Sequence, residues 1–212
     1  MNKQHIVEQM FKQKLVVIIR VEQPEQIDGI VENLMTAGVG ILEITSNTPG
    51  YGAKITQLRE QYPNLIVGAG TITTVEIAQQ AKDAGAQFLV TPNTCKQVGA
   101  FAKEHNLPVL MGAFTPTDVV EAKKAGADVV KLFPAEPIGP DYLKALAKGP
   151  FLDTPFFPVG GIDENNFEQW LQAGAKGLGI GGALAKPVKN QAEKQQLIAG
   201  VSKIVTRLQQ LG

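Results

Sequence analysis

Much of what marks particular classes of protein is scarce in this chain. Among the 212 residues there is one cysteine, Cys95, so no disulfide can form within the chain. That suits a reducing compartment, and a cytoplasmic location is expected. The two histidines, His5 and His105, fall in helical segments with no acid or nucleophile close by in sequence. No cysteine or histidine–carboxylate spacing indicates a metal, and no cofactor is implied. Neither sign of charge prevails: 20 Lys plus Arg balance 20 Asp plus Glu, without a long block of either. This removes the basic face of a nucleic-acid binder and the polybasic patch of a membrane-surface protein. No apolar run approaches the ~20 residues of a membrane span. The opening Met1-Asn2-Lys3-Gln4-His5 lacks the apolar region of a signal peptide.

What the chain does have is a recurring alternation. Short apolar runs of β type occupy residues 16–21, 41–45, 65–70, 88–92, 108–113, 129–135, 156–161 and 178–182. They are mostly apolar rather than strictly alternating, as parallel strands covered on both faces are. Helix-length segments lie between them, amphipathic at 25–37, 75–84, 98–105 and 117–125. Ala-Gly closes four helices, at Ala37-Gly38, Ala84-Gly85, Ala125-Gly126 and Ala173-Gly174, and a strand follows each time. Glycine just past a helix end takes the left-handed conformation that stops the helix. Eight strand–helix units in this length predict an α/β fold, a (β/α)8 TIM barrel, as one domain over residues 1–212. Ile6, Val7, Met10 and Phe11 add a helix at 3–13 against the barrel, and residues 192–211 supply the last helix. The alternative is an open doubly wound sheet. Against it, no Gly-x-Gly-x-x-Gly follows the first strand.

Active sites of such barrels lie at the carboxyl ends of the strands. Few strands carry an ionisable residue inside them. Lys131, within Val129-Val130-Lys131-Leu132-Phe133, is one, and Glu43, within Ile41-Leu42-Glu43-Ile44-Thr45, is another. Burying an unpaired ammonium is costly, so such a lysine loses its proton or gains a specific partner. A neutral amine attacks a ketone to form a Schiff base. The plainer alternative is a lysine that snorkels to the strand end. Strands two and six oppose each other in an eight-strand ring, so Glu43 and Lys131 can face one ligand. Glu43 then reads as a general acid and base, or as a structural partner of Lys131.

Arg20 ends the first strand, where its fork suits a carboxylate or phosphate, or a surface ion pair. Gly160-Gly161 and Gly181-Gly182 end the seventh and eighth strands. Loops there commonly offer backbone N–H groups to phosphate. Cys95 opens a helix without a recognisable motif, and Trp170 reads as helix–barrel packing.

Taken in order, Leu42-Glu43-Ile44-Thr45, Gly68-Ala69-Gly70-Thr71, Thr91-Pro92-Asn93, Lys131-Leu132-Phe133-Pro134-Ala135-Glu136 and Val159-Gly160-Gly161-Ile162 span most of the chain. Together they resemble the class I 2-keto-3-deoxy-6-phosphogluconate aldolases. That family also holds 4-hydroxy-2-oxoglutarate and 2-keto-3-deoxy-6-phosphogalactonate aldolases. The resemblance implies a metal-independent barrel, usually a homotrimer, with pyruvate and an aldehyde phosphate as its small-molecule partners. It implies Lys131 as the Schiff-base lysine and Glu43 as the general acid and base. Thr71 and Pro92 would line the pyruvate end, with Phe133 beside the imine. Thr45, Asn47 and Val159 would border the substrate, and the two glycine pairs would hold its phosphate.

Three positions depart from the gluconate-type pattern. Asn47 stands where an arginine helps bind the substrate carboxylate, which makes Arg20 the candidate to replace it. Val159 replaces a threonine, and Ala183 replaces a serine that contacts phosphate. A hydroxy-oxoglutarate aldolase or oxaloacetate decarboxylase would keep the imine and dispense with phosphate. A non-catalytic phosphosugar-binding barrel, or an isomerase, is the reading from another class.

Overall fold

The computed structural model describes residues 2–211. Eight parallel strands alternate with helices: β1 (Leu15–Ile19), β2 (Ile41–Thr45), β3 (Ile66–Gly70), β4 (Leu89–Val90), β5 (Val109–Ala113), β6 (Val129–Leu132), β7 (Phe156–Pro158) and β8 (Leu178–Ile180). The helices are α1 (Lys3–Gln13), α2 (Gln26–Thr36), α3 (Tyr51–Gln61), α4 (Val75–Asp83), α5 (Lys96–Glu104), α6 (Pro116–Lys124), α7 (Gly139–Ala147), α8 (Phe167–Ala173) and α9 (Gln191–Gln210).

Each strand pairs with its sequence neighbours, and β1 also pairs with β8. Between β7 and β8 the ring narrows to a bridge, Val159 to Gly179, and one bond from Lys176 N–H to the Phe156 carbonyl at 2.9 Å. This sequential order is that of a nearly closed TIM barrel, and it excludes the doubly wound sheet, whose strand order reverses at a switch point.

Local chemistry sets the element ends. The Asn2 side chain caps α1 by accepting from His5 N–H, and Thr74 and Asn190 do the same for α4 and α9. Thr115 and Asp118 form a reciprocal capping box at α6, with Pro116 in its first turn. At the C-terminal ends, Gly38, Gly85, Gly126 and Gly174 all have positive φ, as the Ala-Gly repeat predicts. Cys95 is the N-cap of α5, and His105 ends that helix with its ring against Phe101.

Two apolar cores result. The larger fills the layer between sheet and helices, and includes Trp170. The smaller lies inside the barrel: Val16, Ile41, Ile66, Phe88, Val90, Leu110, Val129 and Phe157, closed from below by Ile6 and Met10 of α1. Phe11 meets Phe157 edge-on at 6.2 Å. The expected extra helix is therefore the plug of the barrel floor.

Five strands end sooner than their apolar runs. Residues 20–21, 91–92, 133–135, 159–161 and 181–182 lie past the strand ends toward the barrel mouth, where Val159 keeps its bridge to Gly179. Apart from Arg20, these positions are small, apolar or proline, so composition could not separate strand from loop. Helix α3 buries only Ile55 and Leu58, which left little amphipathic pattern to read.

Candidate active site

Lys131 is the third residue of β6 and Glu43 the third of β2. Two residues before each lies a side chain of the inner core, Val129 and Ile41. Alternation along a strand therefore points Lys131 and Glu43 inward, one layer above that core. Both are buried, at 5% and 2% exposure. Glycine makes the room. A Cβ at Gly70 on β3 would run into the Glu43 carboxylate, and one at Gly112 on β5 into the Pro92–Asn93 backbone.

Burial is the main electrostatic influence on both groups. It pushes the Glu43 carboxyl above 4.5, partly offset by the positive charges of Lys131 and Arg20. It pulls the Lys131 amine below 10.5, with Glu43 opposing and Arg20 reinforcing the fall. No ion pair joins Glu43 to Lys131 among the described residues. The two feel each other's charge across a gap. Lys131 Nζ sits 4.9 Å from the centroid of the Phe133 ring. The site thus holds an amine biased toward its neutral form and a carboxyl biased toward protonation.

Around this pair the mouth is built from strand-end loops. The Thr91 hydroxyl donates to the Asn93 carbonyl at 2.7 Å and accepts from Gly112 N–H at 3.1 Å, which sets the turn carrying Pro92. Gly160 and Gly161 have φ of 106° and 69°. Asn166 Nδ2 donates to the Gly161 carbonyl at 2.8 Å, and its Oδ1 accepts from Asp163 N–H at 3.0 Å, so the loop is clamped. On the neighbouring loop, the Leu184 and Ala185 N–H groups both donate to the Gly181 carbonyl at 2.9 Å. Among the described residues, the N–H groups of Gly160, Gly161, Gly182 and Ala183 have no backbone acceptor.

A model of the family described as aldolase, KDPG and KHG aldolase, matches residues 6–201. The chain belongs to that family. A 2-dehydro-3-deoxy-phosphogluconate aldolase from Treponema pallidum is 32% identical over 97% of this chain and 94% of its own length. A 2-dehydro-3-deoxy-6-phosphogalactonate aldolase from Escherichia coli is 33% identical over 82% of this chain and 85% of its own. A solved structure of native KDPGal has a TM-score of 0.84 at 31% identity, covering 92% of this chain and 96% of that one.

Membership makes the protein an aldolase, a carbon–carbon lyase acting on small molecules. Its expected site residues do not all reach the same place. Thr71, Pro92 and Phe133 are half-buried at the ends of β3, β4 and β6, on the mouth that holds Lys131 and Glu43. Arg20 is exposed at the end of β1, next to β8. Val159 is buried and packs where a Cβ at Gly179 would stand. Thr45 is fully buried, with its hydroxyl bonded to the Ile19 carbonyl at 3.4 Å and to Thr48 Oγ1 at 3.2 Å, so it secures the end of β2. Asn47 is exposed in the following turn and makes no hydrogen bond to a described residue. Sequence reasoning did not single out Ser46, Thr91 or Asn166, which shape these loops. Thr91 was visible inside a quoted motif; Asn166 had no local signal.

A groove of about 450 Å³ runs outside the mouth between the β7–α8 loop, the β8–α9 loop and α9. Asp163, Glu164, Lys186 and Glu193 line it, and neither Lys131 nor Glu43 does. No helix among the described residues is long and apolar enough to cross a membrane.

Proposed function

We propose that this aldolase reversibly cleaves a 2-keto-3-deoxy-6-phospho sugar acid, of gluconate or galactonate type, to pyruvate and glyceraldehyde 3-phosphate. The observation that carries this reading is the buried Lys131 amine, biased toward its neutral form, opposite the buried Glu43.

The neutral amine adds to the C2 keto carbon to give a carbinolamine. Glu43 donates a proton to the departing hydroxyl, water leaves, and an iminium remains. Now ionised, Glu43 takes the C4 hydroxyl proton, directly or through a water. The C3–C4 bond breaks, its electron pair passes into the iminium to form an enamine, and the aldehyde departs. Glu43 returns its proton to C3, and hydrolysis releases pyruvate and the free amine.

Thr71, Pro92 and Phe133 then line the pyruvate end, with Thr45 and Val159 behind them. Arg20 takes the substrate carboxylate in place of the arginine that Asn47 replaces. The free N–H groups at Gly160, Gly161, Gly182 and Ala183, beside Gly181, suit a phosphate. Relatives named for both substrates support the gluconate and galactonate types alike. Ala183, which offers no hydroxyl, favours a second reading in which the phosphate-free 4-hydroxy-2-oxoglutarate is also cleaved. We also infer that residues 1–212 act as one domain, within a cytoplasmic homotrimer.

Incubation with pyruvate and borohydride, followed by peptide mass spectrometry, tests the imine. A reduced pyruvate adduct on Lys131 is the expected result. An unmodified Lys131 in protein shown to bind pyruvate would overturn it. Turnover of substrates with and without a terminal phosphate separates the two readings.

A further inference from the structure

Three described non-glycine residues have positive φ: Lys14, Thr71 and Asn106. Lys14 caps the end of α1, and Asn106 follows the end of α5. Left-handed residues are ordinary at helix ends. Thr71 is different. It ends a strand, and it is β-branched, for which φ of 58° is a genuine outlier. Such strain persists only where the surroundings impose it, and it gathers at functional sites.

The group bonded on both sides of this backbone is Ser46, three residues beyond Glu43. Its N–H donates to the Gly70 carbonyl at 2.8 Å, and its hydroxyl donates to the Thr71 carbonyl at 2.9 Å. One residue thus holds two successive carbonyls of the β3 exit. Beyond them, Ile72 N–H donates to the Val90 carbonyl at 3.0 Å. Gly70, within this clamp, is the residue whose missing Cβ admits the Glu43 carboxylate. The Thr71 hydroxyl makes no hydrogen bond to another described residue, and Thr71 is half-buried at the mouth. A strained residue with an uncommitted hydroxyl, fixed beside the general acid and base, is poised for a ligand.

We propose that Ser46 is a positioning residue that locks Thr71 in the left-handed conformation and so presents the Thr71 hydroxyl to the carboxylate of the pyruvate moiety. This rests on the aldolase reading above. Ser46 touches no substrate; it acts through Thr71.

The test combines pyruvate capture by borohydride on Lys131 with steady-state cleavage, in wild type, Ser46→Ala, Ser46→Thr, Thr71→Ala and the Ser46→Ala/Thr71→Ala double variant. One lost hydrogen bond predicts that Ser46→Ala raises KM and half-capture pyruvate concentration about tenfold. Ser46→Thr, which keeps a hydroxyl, recovers most of this. In the Thr71→Ala background, Ser46→Ala has no further effect on capture, because the hydroxyl it positions is gone. Additive losses, or capture unchanged by Ser46→Ala, would overturn the inference while leaving the aldolase intact. Absent capture in wild type would overturn both readings. Should Ser46→Ala fold poorly, Thr71→Gly tests the step on which the Ser46 role depends, the contact of the Thr71 hydroxyl. It accepts the left-handed backbone without a clamp, so it should melt no lower than wild type yet capture pyruvate as weakly as Thr71→Ala. Capture at the wild-type level by Thr71→Gly would overturn the proposal.

Discussion

The lower and upper halves of the barrel interior are made from the same strands and do opposite things. Below, Val16, Ile41, Ile66, Leu110, Val129 and Phe157 form a dry core stoppered by Ile6 and Met10. One strand period higher, Ile41 gives way to Glu43, Val129 to Lys131 and Leu110 to Gly112, and a further period up β3 Gly70 leaves the space that the Glu43 carboxylate fills. The lower half packs apolar bulk against α1; the upper half holds two buried ionisable groups. A displacement of two residues along a strand separates stability from chemistry.

The largest expected effect comes from removing the amine. Lys131→Ala should reduce aldol cleavage to background and abolish the borohydride-trapped adduct, without lowering the melting temperature. Unfolding by urea checks the second part: a buried, desolvated amine is no stabiliser, so a large loss of stability would show the two halves to be less separate than proposed. Glu43→Gln should slow turnover by about two to four orders of magnitude while permitting some imine formation. Unchanged turnover would remove Glu43 from the mechanism. In the lower half the pattern should invert. Phe157→Ala should cost about 3–5 kcal/mol in denaturant titration, with activity per folded molecule largely retained.

Smaller in effect, but directed at the boundary, is Gly70→Ala. Its Cβ would meet the Glu43 carboxylate, and overpacking of this kind costs about 1–3 kcal/mol. The loss should appear in kcat as well as stability, because the displaced atoms are those of the proposed acid and base.

The finest test is pH. The folded-state Glu43 carboxyl titrates above 4.5. The folded protein therefore binds more protons than the unfolded chain from 4.5 up to the folded value, and stability falls as pH rises through that window. Glu43→Gln should flatten this fall in denaturant titrations at successive pH values. For Lys131, titrating below 10.5 when folded, the unfolded chain binds more protons, so stability rises with pH through its window. A wild-type curve identical to that of Glu43→Gln would show that Glu43 is not desolvated.

The fold was readable because its causes are local and repeated. Eight apolar runs, four Ala-Gly stops and capping residues such as Asn190 each act within a few positions. Glu43 and Lys131 were readable as well, since a charge inside an apolar run is conspicuous wherever the strand ends up. The limits of the strands were not. Pro92, Gly160 and Gly181 look like strand residues, and only the pairing of the folded chain shows that they lie past the strand ends at the mouth.

Sequence by itself determined the barrel order, the buried lysine and carboxylate, and membership of the aldolase pattern, because alternation and motif spacing are properties of one dimension. Tertiary structure alone decided that Thr45 turns its hydroxyl to Ile19 and Thr48, that Asn47 stays exposed, and that Ser46 bonds to the carbonyl of a left-handed Thr71. Ser46 and Thr71 lie on successive loops, and no local rule links them. Their contact exists because parallel β2 and β3 end side by side, in register from Ile41–Ile66 to Thr45–Gly70.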